Sequence, residues 1–97
     1  ALMIDQRVSE GESVEFFKRS AKTTTIPAQL AKKYGCRIVP VYIERIKDIN
    51  FKLSIYEPIK FDDNLSIEHI STELNKLLEK MILKNPDQWI WSHNRWK

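Results

Sequence analysis

Ile67, Ile70, Leu74, Leu77, Leu78, Met81 and Ile82 recur at spacings of three and four, which draws one apolar stripe along a helix of roughly five turns. Ser66 stands where an N-cap is needed, and Pro86 disfavours helical geometry in Asn85, so the helix is predicted to end there. INFKLSIYE alternates instead, with Phe51, Leu53 and Ile55 on one face and Lys52, Ser54 and Tyr56 on the other. Ahead of it, RIVPVYIER is rich in β-branched residues and reads as a buried strand, with Pro40 marking an edge or bulge because it has no N–H to donate. KDIN between the two predicts an antiparallel hairpin.

The first third of the chain is less regular. ALMI is short and wholly apolar, and is expected as a strand ending at Asp5 whose neighbours are missing. VSEGES reads as a loop turned by Gly11, and VEFF as a short strand carrying Phe16 and Phe17, with a basic exit at Lys18, Arg19 and Lys22. TIPAQLAKKY predicts a helix from about Thr25 to Tyr34, with Pro27 in its first turn and Gly35 ending it. A last turn started by Pro86 carries the tail DQWIWSHNRWK. The elements add up to an α/β fold, a mixed sheet with flanking helices, in a single unit over residues 1–97.

Composition narrows this little. Ninety-seven residues with 42% hydrophobic side chains make one compact domain. The net charge of +3 is mild, with cations scattered among acids, so an anionic partner is permitted: nucleic acid, headgroups or a phosphorylated substrate. The single cysteine, Cys36, excludes an internal disulfide, points to a reducing compartment, and is expected as a small buried thiol. No Cys or His cluster has zinc spacing, no phosphate loop is present, and no run has the form of a signal or a membrane-spanning helix, so no metal or cofactor is expected.

The candidate chemistry is thin. His69 and Glu73 are four apart on the long helix and read as a solvated pair, while His93 has no acid after it. Ser9 and Ser13 lack the G-x-S-x-G elbow of a nucleophilic serine. Phe16, Phe17, Lys18, Arg19 and Lys22 set rings beside cations, the makings of a phosphate cradle or a single-strand clamp. In the tail, Trp89 and Trp96 are expected to close the core and Trp91 to be partly exposed. Trp beside Arg is also what an interfacial segment uses.

Taken in order, IDQ, EG-x-x-VEFFKR-x-A-x-T, PAQLAKKYGC-x-IVPVYIER and NP-x-QWIWSHNRWK resemble the C-terminal half of the bacterial lipid A biosynthesis acyltransferases, in the lauroyl or myristoyl branch. PVYI and IDQ also resemble motifs of the wider glycerolphosphate acyltransferase superfamily, so the resemblance implies the C-terminal portion of that fold. It further implies transfer of a fatty acyl chain from acyl carrier protein to a hydroxyl of a phosphorylated glucosamine lipid, at the cytoplasmic face of the bacterial inner membrane, without a metal.

The family's base is a histidine followed, after four other residues, by Asp or Glu. Here the fifth residue after His69 is Leu74, and His93 has no such partner, so the chain is expected to be a fragment without acyl-transfer activity. By resemblance, Asp5 and Gln6 lie at the end of the central strand near the reaction centre, with Lys18, Arg19 and Arg45 as anion contacts. Trp91, Arg95 and Lys97 are placed toward the headgroups, and no nucleic acid is expected. Two rivals stand beside this reading: a small anion- or RNA-binding module using Phe16, Phe17, Lys18, Arg19 and the tryptophan-rich tail, and a structural partner that completes another subunit's sheet through ALMI.

Overall fold

The computed structural model describes residues 1–96. In chain order they form β1 (Glu12–Phe16), β2 (Arg19–Thr23), α1 (Ile26–Tyr34), β3 (Val41–Lys47), β4 (Asn50–Ile55) and α2 (Ile67–Lys84), followed by a 3-10 turn at Pro86–Gln88. The fold is mixed α/β, with its strands divided between two antiparallel hairpins, β1–β2 and β3–β4.

α2 organises the core. Ser66 accepts the His69 N–H at 3.1 Å and so caps the helix, which ends at Lys84 just ahead of Asn85 and Pro86. Ile70 and Leu74 of the stripe meet Ala28 of α1. Two turns on, Leu78 and Ile82 meet Phe16 and Ala21 of the first hairpin. Gly35 ends α1 in the left-handed region, at φ 61°.

Three expectations are corrected here. Ala1–Ile4 form no strand and pair with neither hairpin; on β2, the Lys22 carbonyl accepts instead from Val8 N–H and from Arg95. Only Ile4 is drawn inward, packing against both halves of the core. The basic exit after VEFF is a second strand, because Phe17 and Lys18 both take positive φ (49° and 62°) and make the primed two-residue turn that a hairpin favours. A left-handed phenylalanine costs about 1–2 kcal/mol. That cost is offset by its N–H, which donates to the Glu79 carboxylate, and by its ring, edge-on to Phe16 at 4.8 Å.

The third correction concerns burial. RIVPVYIER is not a buried strand: Ile38 makes a lone bridge to Ile59, the ladder starts at Val41, and Val41 and Ile43 are exposed. Cys36 is exposed as well.

The second hairpin meets α2 through polar groups. Asn85 Nδ2 donates to the Tyr42 hydroxyl at 2.8 Å and to Glu44 Oε2 at 2.7 Å, and Lys84 Nζ donates to the Tyr56 hydroxyl at 3.1 Å. The bond to Tyr56, then its charge, hold the Lys84 ammonium above the usual lysine range. Replacing Asn85 with alanine is expected to lower amide protection across β3 and β4 roughly tenfold, the loss of about 1–2 kcal/mol of buried hydrogen bonding. Hydrogen exchange reads this directly, and unchanged protection would show that the hairpin is held elsewhere.

Candidate functional site

The chemistry-bearing residues collect around the first hairpin and the tail that crosses it. Gly11 permits the close approach of the preceding segment, since a Cβ there would stand 2.3 Å from the Thr23 carbonyl oxygen. On this hairpin lies Arg95, with no exposed surface. Its Nη1 donates to the Lys22 carbonyl at 2.7 Å and its Nη2 to Thr23 Oγ1 at 3.0 Å, with the guanidinium 5.2 Å from the centre of the Phe16 ring.

Thr23 and Asn75 extend this contact into a network. Thr23 Oγ1 donates to the Ala21 carbonyl, and Asn75 Nδ2 donates to Thr23 Oγ1 and to the Glu15 carbonyl, each at 3.2 Å. Strands, α2 and tail are thus joined by one set of buried polar groups. Burial pushes the Arg95 pKa down, and the nearby Asp5 carboxylate acts the other way. Among the described residues Asp5 Oδ1, Ser71 Oγ, Asn75 Oδ1, Trp89 Nε1 and Arg95 Nε are buried without a hydrogen-bond partner.

The arrangement brings some expected residues together and separates others. Asp5, half-buried, faces Arg95 electrostatically, although it follows an irregular segment and not the central strand that was expected; Gln6 beside it is exposed. Lys18 lies exposed in the β1–β2 turn, and the Arg19 guanidinium lies 5.5 Å from the centre of the Trp96 ring. Arg45 is on the other hairpin, exposed, 5.4 Å from the centre of the Phe51 ring. Arg95, expected toward the headgroups, is corrected to a core residue, because the hairpin supplies acceptors that its guanidinium fits. Lys97, expected beside it, lies outside the described residues.

The tryptophans divide as the pattern predicted. Trp89 and Trp96 pack against the core, with Trp96 Nε1 donating to the Phe16 carbonyl at 2.9 Å, while Trp91 is 51% exposed. Of the rings on which the RNA-binding rival would stack bases, Phe16 is fully buried and Phe17 lies against Phe16 and Trp91, which leaves Trp91 as an exposed one.

The network sets a positive charge near the Asp5 carboxylate, but it contains no histidine. His69 and His93 are both exposed, neither side chain is bonded to an acid among the described residues, and Glu73 pairs with Lys76 at 3.5 Å instead of His69. No group of described residues has the makings of a metal site.

Sequence reasoning missed Ser71, Asn75 and Thr23. A signal was present, because Ser71 and Asn75 precede Leu78 and Ile82 at the same helical spacing and so fall on the buried face.

No described helix is long and apolar enough to cross a membrane. No curated protein matches the chain. A family does: the segments that carry Asp5, the first hairpin, the PVYI strand and the tryptophan tail all fall within a match to the bacterial lipid A biosynthesis acyltransferases that spans residues 1–97, and the chain belongs to that family.

Proposed function

We propose that the chain is the C-terminal portion of an enzyme that moves a fatty acyl group from an acyl carrier protein thioester to a hydroxyl of a phosphorylated glucosamine lipid, at the cytoplasmic face of the bacterial inner membrane. The observation that carries this reading is the family match over the whole chain.

The chemistry divides the work. As the acceptor oxygen attacks the thioester carbonyl, a C–O bond forms, the C–S bond breaks, and a base takes the hydroxyl proton for delivery to the departing thiolate. With His69 and His93 both solvated and without a bonded acid, the base comes from a histidine–acid pair on another stretch of polypeptide. This chain contributes Asp5 and Gln6 near the reaction centre, and cations for the acceptor phosphates at Lys18 and Arg19, both exposed at one end of the first hairpin. Trp91 is turned toward the headgroups.

The test is a direct acyl-transfer assay. The 97-residue chain with acyl carrier protein thioester and lipid acceptor is expected to give no product above the uncatalysed rate, and product is expected once the polypeptide bearing the histidine–acid pair is supplied. Turnover by the chain alone would overturn the division of labour. Failure of the assembled enzyme would overturn the whole reading.

A further inference from the structure

The turn of the first hairpin is held by residues outside it. Phe16 pairs with Arg19, so Phe17 and Lys18 are the two turn residues, and both lie in the left-handed region at φ 49° and 62°. Neither is the Asn or Gly that adopts this geometry with little strain. The conformation is therefore imposed by neighbours. Phe17 N–H, which the ladder of a two-residue hairpin leaves without an acceptor, donates to the Glu79 carboxylate of α2. One residue earlier, the Phe16 carbonyl accepts Trp96 Nε1 at 2.9 Å. These contacts are made within the chain, so they set the shape of the turn whatever polypeptide lies beside it.

What the strained turn carries is charge. Lys18 is its second residue and Arg19 the first of β2, both exposed, and the Arg19 guanidinium lies 5.5 Å from the centre of the Trp96 ring. A lysine supplies a compact charge and an arginine a planar fork, a pair suited to the oxygens of one phosphate group when their backbones keep a fixed separation. Both side chains are long and flexible, so that separation is set at the backbone. Left-handed backbone that the surrounding structure holds against its preference is characteristic of sites where geometry is used. Glu79 is the group that does the holding here, half-buried on α2 and bonded to the turn itself.

We propose that Glu79 is a positioning residue for the acceptor phosphate: its carboxylate holds the Phe17–Lys18 turn in the geometry that presents Lys18 and Arg19 together. This rests on the proposed function, in which Lys18 and Arg19 take the acceptor phosphates, and adds the residue that fixes them. Glu79 acts through the turn and not by contact with substrate.

The experiment measures the KM of each substrate separately in the assembled enzyme. Glu79→Ala is expected to raise the KM of the phosphorylated acceptor about tenfold, while kcat and the KM of the acyl carrier protein thioester stay as they were. Glu79→Gln, whose amide oxygen still accepts the Phe17 N–H, is expected to recover most of the loss. Lys18→Ala is expected to raise the acceptor KM as well, and the double alanine variant to lose less than the product of the two fold-changes, since Glu79 acts through the residue already removed. A rise in both KM values with a fall in kcat, or altered circular dichroism in Glu79→Ala, would assign Glu79 to the fold and overturn the proposal. So would an acceptor KM that moves with only one of the two alanine substitutions, that rises as far in Glu79→Gln as in Glu79→Ala, or whose two effects simply multiply; each of these leaves the acyl-transfer reading standing. An active enzyme indifferent to both alanines would take Lys18 off the phosphates and the proposal with it. An assembled enzyme without turnover would instead overturn the functional reading itself, on which the proposal rests.

Discussion

Replacing Arg95 with alanine is expected to destabilise the chain by about 3–5 kcal/mol, a large share of the 5–15 kcal/mol that holds a domain of this kind together. The substitution removes a fully buried guanidinium, so the Lys22 carbonyl and Thr23 Oγ1 each lose a donor and the half-buried Asp5 carboxylate loses the positive charge near it. Acceptors that lose one of two donors in the interior keep their desolvation cost and lose part of its compensation, since Val8 N–H and Asn75 Nδ2 are the donors that remain. Van der Waals contact with Phe16 goes at the same time. Urea unfolding followed by circular dichroism measures the change.

Arg95→Lys separates the causes. It keeps the charge but cannot reach two acceptors with a planar fork, so an intermediate loss is expected. Equal losses in the two variants would show that geometry, and not charge, is what the site requires. A loss below about 1 kcal/mol in Arg95→Ala would place the residue at the surface and restore the interfacial role first expected of it.

That misplacement shows what the sequence carried and what it did not. α2 was legible end to end because its apolar stripe, its Ser66 cap and Pro86 all act within a few residues of one another. The same holds for α1, closed by Gly35, and for the β3–β4 hairpin and the shared face of Phe51, Leu53 and Ile55, written in the alternation of INFKLSIYE. Alternation states which side chains share a face, however, and is silent on whether that face is covered. Hence the pairing of Phe51, Leu53 and Ile55 was right, and the burial expected for RIVPVYIER was not.

The first hairpin was hidden for a different reason. Its turn is Phe17-Lys18, which carries none of the Asn or Gly that usually marks positive φ, and the conformation is held by Glu79, more than sixty residues further along the chain. Arg95 belongs to the same class of error. A cation beside tryptophans reads as a surface group until Lys22 and Thr23 are seen to offer their oxygens, and no local pattern reports a contact across that separation. At the site, the four motifs were enough to reach the family, while the burial of Arg95 near Asp5 needed the fold.

Phe16→Ala is the second large effect, expected to cost about 3–5 kcal/mol. Phe16 has no exposed surface, and its ring is the shared wall against which Phe17, Trp89, Trp96 and Arg95 pack, at centroid distances of 4.8, 6.4, 5.5 and 5.2 Å. The loss therefore combines the transfer term of an aromatic side chain with the void left among rigid neighbours that cannot close it. Trp89 and Trp96 should gain water contact, so the native-state tryptophan emission is expected to move to the red before unfolding begins. Phe17→Ala serves as the control: its ring is only half-buried, and alanine carries the same left-handed strain at this turn, so a loss of about 1–2 kcal/mol without the red shift is expected. If the two variants instead behaved alike, the Phe16 ring would not be the wall that fastens the tryptophan tail, and Arg95, with the Trp96 Nε1 bond to the backbone carbonyl of residue 16, would have to hold the tail on the hairpin.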